Sequence, residues 1–296
     1  AIRISKIDPT KAKTEGEKAL SQSLGVMEAN TDSFFVNSIV DHPLQTIDNS
    51  WGDIRMNASM ESILVGYNDP RASAYFDNSV ATGGLKGVRG GLPLLAGYAD
   101  ELAQKADYIN YSTLNDNIHT SRVQLMTASE VAFLKAEAAL RGWSGAGDAE
   151  ANYETGIQLS FDQHGASGAT GYVADNTSTF IDYVDTYNPA NNIAALSDVT
   201  IAWTDAADNE ERLEKIITQK WIAMFPEGGS HDNSDLLPFK AGIAMMTLGT
   251  IVKTGQVPII IPSGLKYFKR HEFRSRCVLE FGRPYKPTKK IVELYK

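Results

Sequence analysis

Side chains able to transfer a proton, attack a carbonyl or hold a metal are thinly scattered through this sequence. The five histidines, His42, His119, His164, His231 and His271, show neither H-x-x-x-H nor H-E-x-x-H spacing, so no pair shares a helix face as zinc ligation there requires. No G-x-S-x-G string occurs, which removes the strained elbow that exposes an α/β-hydrolase nucleophile. Gly83-Gly84 and Gly90-Gly91 bracket a glycine-rich tract, but neither phosphate-loop spacing follows it. The Asp/Asn-rich tracts do not fit a calcium loop closed by a glutamate at its twelfth position. Glycoside hydrolysis needs only two correctly separated acids, yet 36 carboxylates make some pair available in any fold and single out none. The single cysteine, Cys277, excludes an intrachain disulfide and a cysteine-based zinc site. The sequence therefore predicts no catalytic residue, no metal and no cofactor.

The elements that would position a site are mostly helical. Asp8-Pro9 is an N-cap followed by a proline at N1, and the helix is expected to run to Gly25. Ser50–Gly66 reads as a second helix with Ile54, Ala58, Ser62 and Val65 on one side. The clearest helix is Thr127–Arg141: Thr127 and Glu130 have capping-box spacing, Val131, Leu134 and Ala138 share a face, and Gly142 stops it. Asp148 opens the next helix, with Tyr153, Ile157 and Phe161 four residues apart and Gly165 at its end. So short a link predicts a helical hairpin of the tetratricopeptide type. Asp208 caps a long helix with an expected apolar stripe of Leu213, Ile216, Ile217, Trp221 and Met224. Residues 77–125 and 166–207, rich in Gly, Asn, Asp and Tyr, read as long loops.

Charge divides the chain. Residues 1–229 hold 16 Lys and Arg against 31 Asp and Glu, a net −15, while residues 230–296 hold 12 against 5, a net +7. The overall −8 argues against nonspecific nucleic-acid binding. No apolar run reaches the roughly 18 residues a membrane-spanning helix needs. The start shows no basic segment followed by an apolar one, so no signal peptide is visible. Weak strands and coil are expected after residue 230, including the proline-bracketed run Val257–Pro262 and a basic stretch, Lys266–Lys290.

Five segments, in order, carry a resemblance. The string from Met126 to Trp143 resembles a helix reading T-x-A-E-x-x-F-L-x-A-E-A-x-x-R-G-W in the SusD/RagB family of outer-membrane nutrient-binding lipoproteins. Ala1–Pro9, Trp51–Phe76 with its Gly66-Tyr67-Asn68-Asp69-Pro70-Arg71, Tyr153–Phe161 and Ile216–Ala223 resemble further segments of that family. The resemblance spans residues 1–229. It departs after Pro226-Glu227-Gly228, where the family gives a tryptophan and an R-R-T-G-Y-P-like stretch. The chain also starts where the family would be in mid-protein. The expected domains are thus 1–229, SusD-like but lacking its N-terminal region, and 230–296, a diverged or frame-shifted basic tail.

The resemblance implies a mainly α fold, a tetratricopeptide-like helical-hairpin scaffold with long loop insertions. It implies a non-catalytic subunit that captures an oligosaccharide or other small nutrient and delivers it to a SusC-like TonB-dependent transporter. The implied place is the outer-membrane surface, with membrane contact only through an N-terminal lipid anchor that this chain does not contain. Sugar rings stack on flat aromatic faces and their hydroxyls bond to amides and carboxylates. Trp51, Asp53, Tyr98, Tyr108, Tyr111, Tyr172, Tyr183 and Tyr187 are the candidates in the loop stretches, each weighed against burial in the scaffold. Trp143 and Trp221 read as structural. Asp69-Pro70-Arg71 reads as an N-cap with a first-turn arginine or as an arginine paired to a buried carboxylate. Two other readings are a helical-repeat scaffold that binds only proteins, and a glycoside hydrolase with two acids about 5–10 Å apart.

Overall fold

The computed structural model describes residues 1–35, 43–52, 54–89, 111–119, 123–185, 189–224, 251, 263–267 and 277–281. Backbone contacts group the chain into two compact units, Ala1–Gly229 and Ser230–Lys296.

The first unit is built mainly of helices whose starts are fixed by local cap chemistry. Asp8 accepts from the Lys11 N–H and Pro9 occupies N1 of α1 (Pro9–Leu20). Asn57 caps α2 (Ala58–Gly66) and Thr127 caps α5 (Ala128–Leu140). Asp148 caps α6 (Ala149–His164) and Asp208 caps α8 (Asn209–Ala223). Shorter helices among the described residues lie between them, including α3 (Ala72–Tyr75), α4 (Asp116–His119) and α7 (Ala169–Val173). The two-stranded pair β1 (Phe34–Phe35) and β2 (Gln124–Met126) is antiparallel. In the second unit β3 (Ser263–Tyr267) pairs antiparallel with β4 (Cys277–Phe281), with Leu265 opposite Leu279. Val257–Pro262 lies outside the described residues.

The α5–α6 hairpin is the centre of the first unit, and the chain is mainly α on a tetratricopeptide-like scaffold. Tyr153, Ile157 and Phe161, one turn apart on α6, are fully buried with Phe133 of α5. Gly156 lets the two helices approach, because a Cβ there would sit 2.8 Å from the Phe133 ring. Trp143, just beyond α5, lies against Gly16 of α1 and joins Ala12, Ala138 and Ala146 in a small second core. Its structural role is therefore visible.

Three helix expectations need correction. α1 stops at Leu20, where the Ser21 hydroxyl and the Gln22 amide both donate to the Lys18 carbonyl and end the ladder. The stretch 50–66 is not one helix: Thr46–Trp51 forms a π-helical turn, Gly52 turns left-handed at φ 65°, and Asn57 starts α2 anew. On α8 the buried face is Lys215, Ile216, Thr218, Gln219, Ile222 and Ala223, whereas Ile217 is 38% and Met224 44% exposed. The phase differs because Lys215 and Gln219 find buried partners, and a polar residue so satisfied takes a core position.

Candidate functional site

Two polar clusters organise the loops. The first is fully enclosed and centres on Arg71, which has no solvent exposure. Its Nε and Nη2 donate to the two Asp69 carboxylate oxygens at 2.9 and 2.6 Å, Nη1 donates to Ser160 at 3.0 Å, and Nη2 also donates to Gln219 Oε1 at 2.8 Å. Tyr172 donates to Asp69 at 2.6 Å and accepts from Gln219 Nε2 at 3.0 Å. The guanidinium carbon lies over the Phe161 and Tyr172 rings, 4.9 and 5.3 Å from their centroids, and the two ring centroids are themselves 5.1 Å apart. Burial alone would lower the Arg71 pKa, but the Asp69 carboxylate outweighs it and raises it, so the cation persists. Of the two readings of Asp69-Pro70-Arg71, the buried ion pair is what forms. This cluster ties the turn between α2 and α3 to α6, α7 and α8 and faces no solvent.

His164, at the end of α6, borders that cluster. Its ring meets Tyr75 edge-on at 4.7 Å, and its pKa is pushed down to about 4, first by burial and then by the Arg71 charge. It is a neutral, packed histidine.

The second cluster lies at a loop surface. Glu61 on α2 accepts from Lys86 Nζ at 2.8 Å and from the Gly87 N–H at 2.6 Å. Lys86 also donates to the Val184 carbonyl at 2.6 Å and lies 4.7 Å over the Tyr183 ring. Tyr183 donates to the Gly87 carbonyl at 2.9 Å, and Arg89 reaches the Ala190 carbonyl at 3.3 Å. A Cβ at Gly87 would fall 2.4 Å from the Asn57 carbonyl oxygen, so only glycine lets the loop lie this close to α2. Opposite it, Asp185 accepts from Asn191, and Asn192 accepts from the Asp185 N–H. The arrangement fixes the backbone of residues 84–89 against 181–185 and 189–193 and leaves Ile181, Asp182 and Val184 exposed on the outside.

The candidate ligand residues distribute unevenly over this frame. Tyr111, Tyr172 and Tyr183 are buried, at 6%, 6% and 1% exposure, and are corrected from stacking platforms to scaffold residues. Each ring is worth more in the core than at the surface once its hydroxyl has a partner. Burial raises the Tyr183 and Tyr172 pKa values first, with Asp185 and Asp69 adding to it respectively, so both phenols remain donors. Trp51 closes the π-helical turn just before Gly52. Asp53, Tyr98, Tyr108 and Tyr187 lie outside the described residues.

Sequence reasoning missed Glu61 and Lys86 as site residues, although Glu61 lies within the Trp51–Phe76 segment and Lys86 two residues after Gly83-Gly84. Among the described residues no group of three or more His, Cys, Asp or Glu side chains could hold a metal ion, and no helix is long and apolar enough to cross a membrane.

Comparison with known proteins decides the family. The model of the SusD-like family, described as SusD and RagB outer membrane lipoprotein, matches residues 1–231. The chain belongs to the SusD/RagB family. A chitin-binding SusD homologue from Flavobacterium johnsoniae superposes with TM-score 0.70 at 50% identity, covering 76% of this chain and 45% of that one. A SusD-like protein from Bacteroides thetaiotaomicron gives TM-score 0.67 at 40% identity, covering 76% and 46% respectively. The chain thus spans less than half the length of these solved SusD homologues. SusD-like proteins bind glycans for uptake and work with SusC-like transporters, and the family is one of outer-membrane lipoproteins.

A second family, described as acyltransferase, matches residues 200–264. Glycerol-3-phosphate O-acyltransferase 2 of Saccharomyces cerevisiae is 41% identical over 99 residues, 32% of this chain and 13% of the yeast protein. Glycerol-3-phosphate O-acyltransferase 1 of the same yeast is 48% identical over 83 residues, 28% and 11% respectively.

Proposed function

We propose that the SusD-like part of this protein captures chitin-type oligosaccharides, chains of β-linked N-acetylglucosamine, without catalysis and passes them to a SusC-like TonB-dependent transporter at the cell surface. The observation that carries this reading is the 50% identity, over three quarters of the chain, to a homologue described as chitin-binding. The physical frame suits it. Lys86, Glu61 and Tyr183 hold two loops in one arrangement before any ligand arrives, so little ordering cost is left for binding. Trp51 is the ring we assign to stacking, with Asp53 as hydroxyl acceptor; Tyr98, Tyr108 and Tyr187 are the further candidates in the same loop stretches. Anchoring is assigned to an N-terminal lipid on the mature protein.

Retention on chitin beads tests the reading. The wild-type protein should be retained and eluted by soluble chitohexaose, and Trp51→Ala should lose at least about tenfold in affinity, the scale of one lost base- or sugar-sized stacking contact. Equal retention of wild type and Trp51→Ala would move the stacking role to another ring; no retention of a folded wild-type sample would overturn the ligand class. Shortened sugars in the eluate would restore the glycoside-hydrolase reading. A folded protein that ignores every glycan but captures its transporter would restore the protein-scaffold reading.

A further inference from the structure

The two family matches overlap over residues 200–231, and the yeast matches, 99 and 83 residues long, likewise reach back before residue 230; the packing of α8 shows which family that helix serves. Gln219 bonds to Arg71 and Tyr172, both of which precede the acyltransferase match. Ile216 and Ile222 have no solvent exposure and belong to the main core with Phe133 and Tyr153. The helix, through Ala223, is therefore part of the SusD-like core. Beyond it the chain changes in three independent respects. The SusD-like match ends at residue 231, the compact units divide after Gly229, and the charge balance reverses from −15 to +7 at the same point. Divergence within the SusD family would blur a sequence without giving it a second family. A frame shift would give it none. The acyltransferase match, read in the same frame, supplies what both explanations lack.

We propose that two sequences of different descent meet between Met224 and His231: a SusD-like one that ends just after α8, and an acyltransferase-like one that continues from there. The acyltransferase-like stretch is a piece, since the chain spans 11–13% of those relatives, and it has no part in glycan capture. This inference is independent of the chitin reading.

The test uses the whole chain, because all four tryptophans, Trp51, Trp143, Trp203 and Trp221, lie before the proposed join and report only on the first part. Thermal unfolding is followed by tryptophan fluorescence for the wild type, Gln219→Ala and Leu279→Pro, the last breaking β4 where it pairs with Leu265. Gln219→Ala should lower the midpoint by about 2–8 °C, and Leu279→Pro should move it by less than about 1 °C. A fall with Leu279→Pro as large as that with Gln219→Ala overturns the proposal, because it makes both segments one folding unit. Limited proteolysis of the same whole chain gives a second reading. A protected fragment ending within residues 224–231 is expected, and one extending past Phe281 contradicts it.

Discussion

Replacing Arg71 by methionine removes the cation that ties the turn between α2 and α3 to three further helices while keeping an unbranched side chain in place. What remains is informative. Among the described residues, the Asp69 carboxylate, itself without solvent exposure, keeps the Tyr172 hydroxyl and the backbone N–H of residue 71 as donors. Ser160 and the Gln219 carbonyl oxygen lose their bonds to the guanidinium. Breaking a buried pair by deleting one partner costs about 3–5 kcal/mol, mostly from the charge left behind. For a domain of this size each kcal/mol shifts the midpoint by roughly 2–4 °C, so Arg71→Met should unfold about 6–20 °C below wild type in scanning calorimetry. The double variant Asp69→Asn/Arg71→Met removes the orphaned charge as well, and it should be more stable than Arg71→Met alone. A loss below about 2 °C for Arg71→Met, or a double variant less stable than the single one, would refute this account of the cluster.

Three further outcomes follow from the same geometry. His164 has a folded pKa near 4 against about 6.5 when unfolded, so the unfolded chain binds the extra proton and stability falls as pH drops between those values. The loss from pH 7.5 to pH 5 should be about 2 kcal/mol and should vanish in His164→Gln, as read from urea midpoints at both pH values. Gly66→Ala would place a Cβ 2.2 Å from the Thr179 carbonyl oxygen, a backbone atom that cannot rotate away, and should cost about 1–3 kcal/mol by chemical denaturation. The whole chain, given glycerol 3-phosphate and an acyl thioester, should release no acylated product above the protein-free blank; sustained turnover would contradict the non-catalytic reading.

The parts of the fold that could be read in the sequence are those set by neighbours in sequence. Asp8, Thr127, Asp148 and Asp208 cap helices because a short oxygen-bearing side chain meets an N–H three residues on, and that needs no tertiary context. Tyr153, Ile157 and Phe161 declared their buried face by spacing alone. The misplaced stripe on α8 has the opposite cause. Lys215 is buried because Thr200 and Asp205 accept from its ammonium group, and Gln219 because its carbonyl oxygen accepts from Arg71 while its amide N–H donates to Tyr172. Those partners come from distant segments that no helical period can announce. The loop tyrosines went astray for a related reason: Tyr183 lies in a stretch as polar as any exposed loop, yet Lys86 and Gly87 cover it from another loop nearly a hundred residues earlier. Gly52 is a signal that was available, since a glycine inside an expected helix marks a position where the backbone can turn left-handed.

Calorimetric titration of the folded protein with chitohexaose, alongside cellohexaose and maltohexaose of equal length, tests the central claim most directly. The account predicts a saturable heat with chitohexaose alone and unchanged sugar length by mass spectrometry at the end of the titration. No heat with chitohexaose, or a mixture of shorter sugars in the cell, would contradict it.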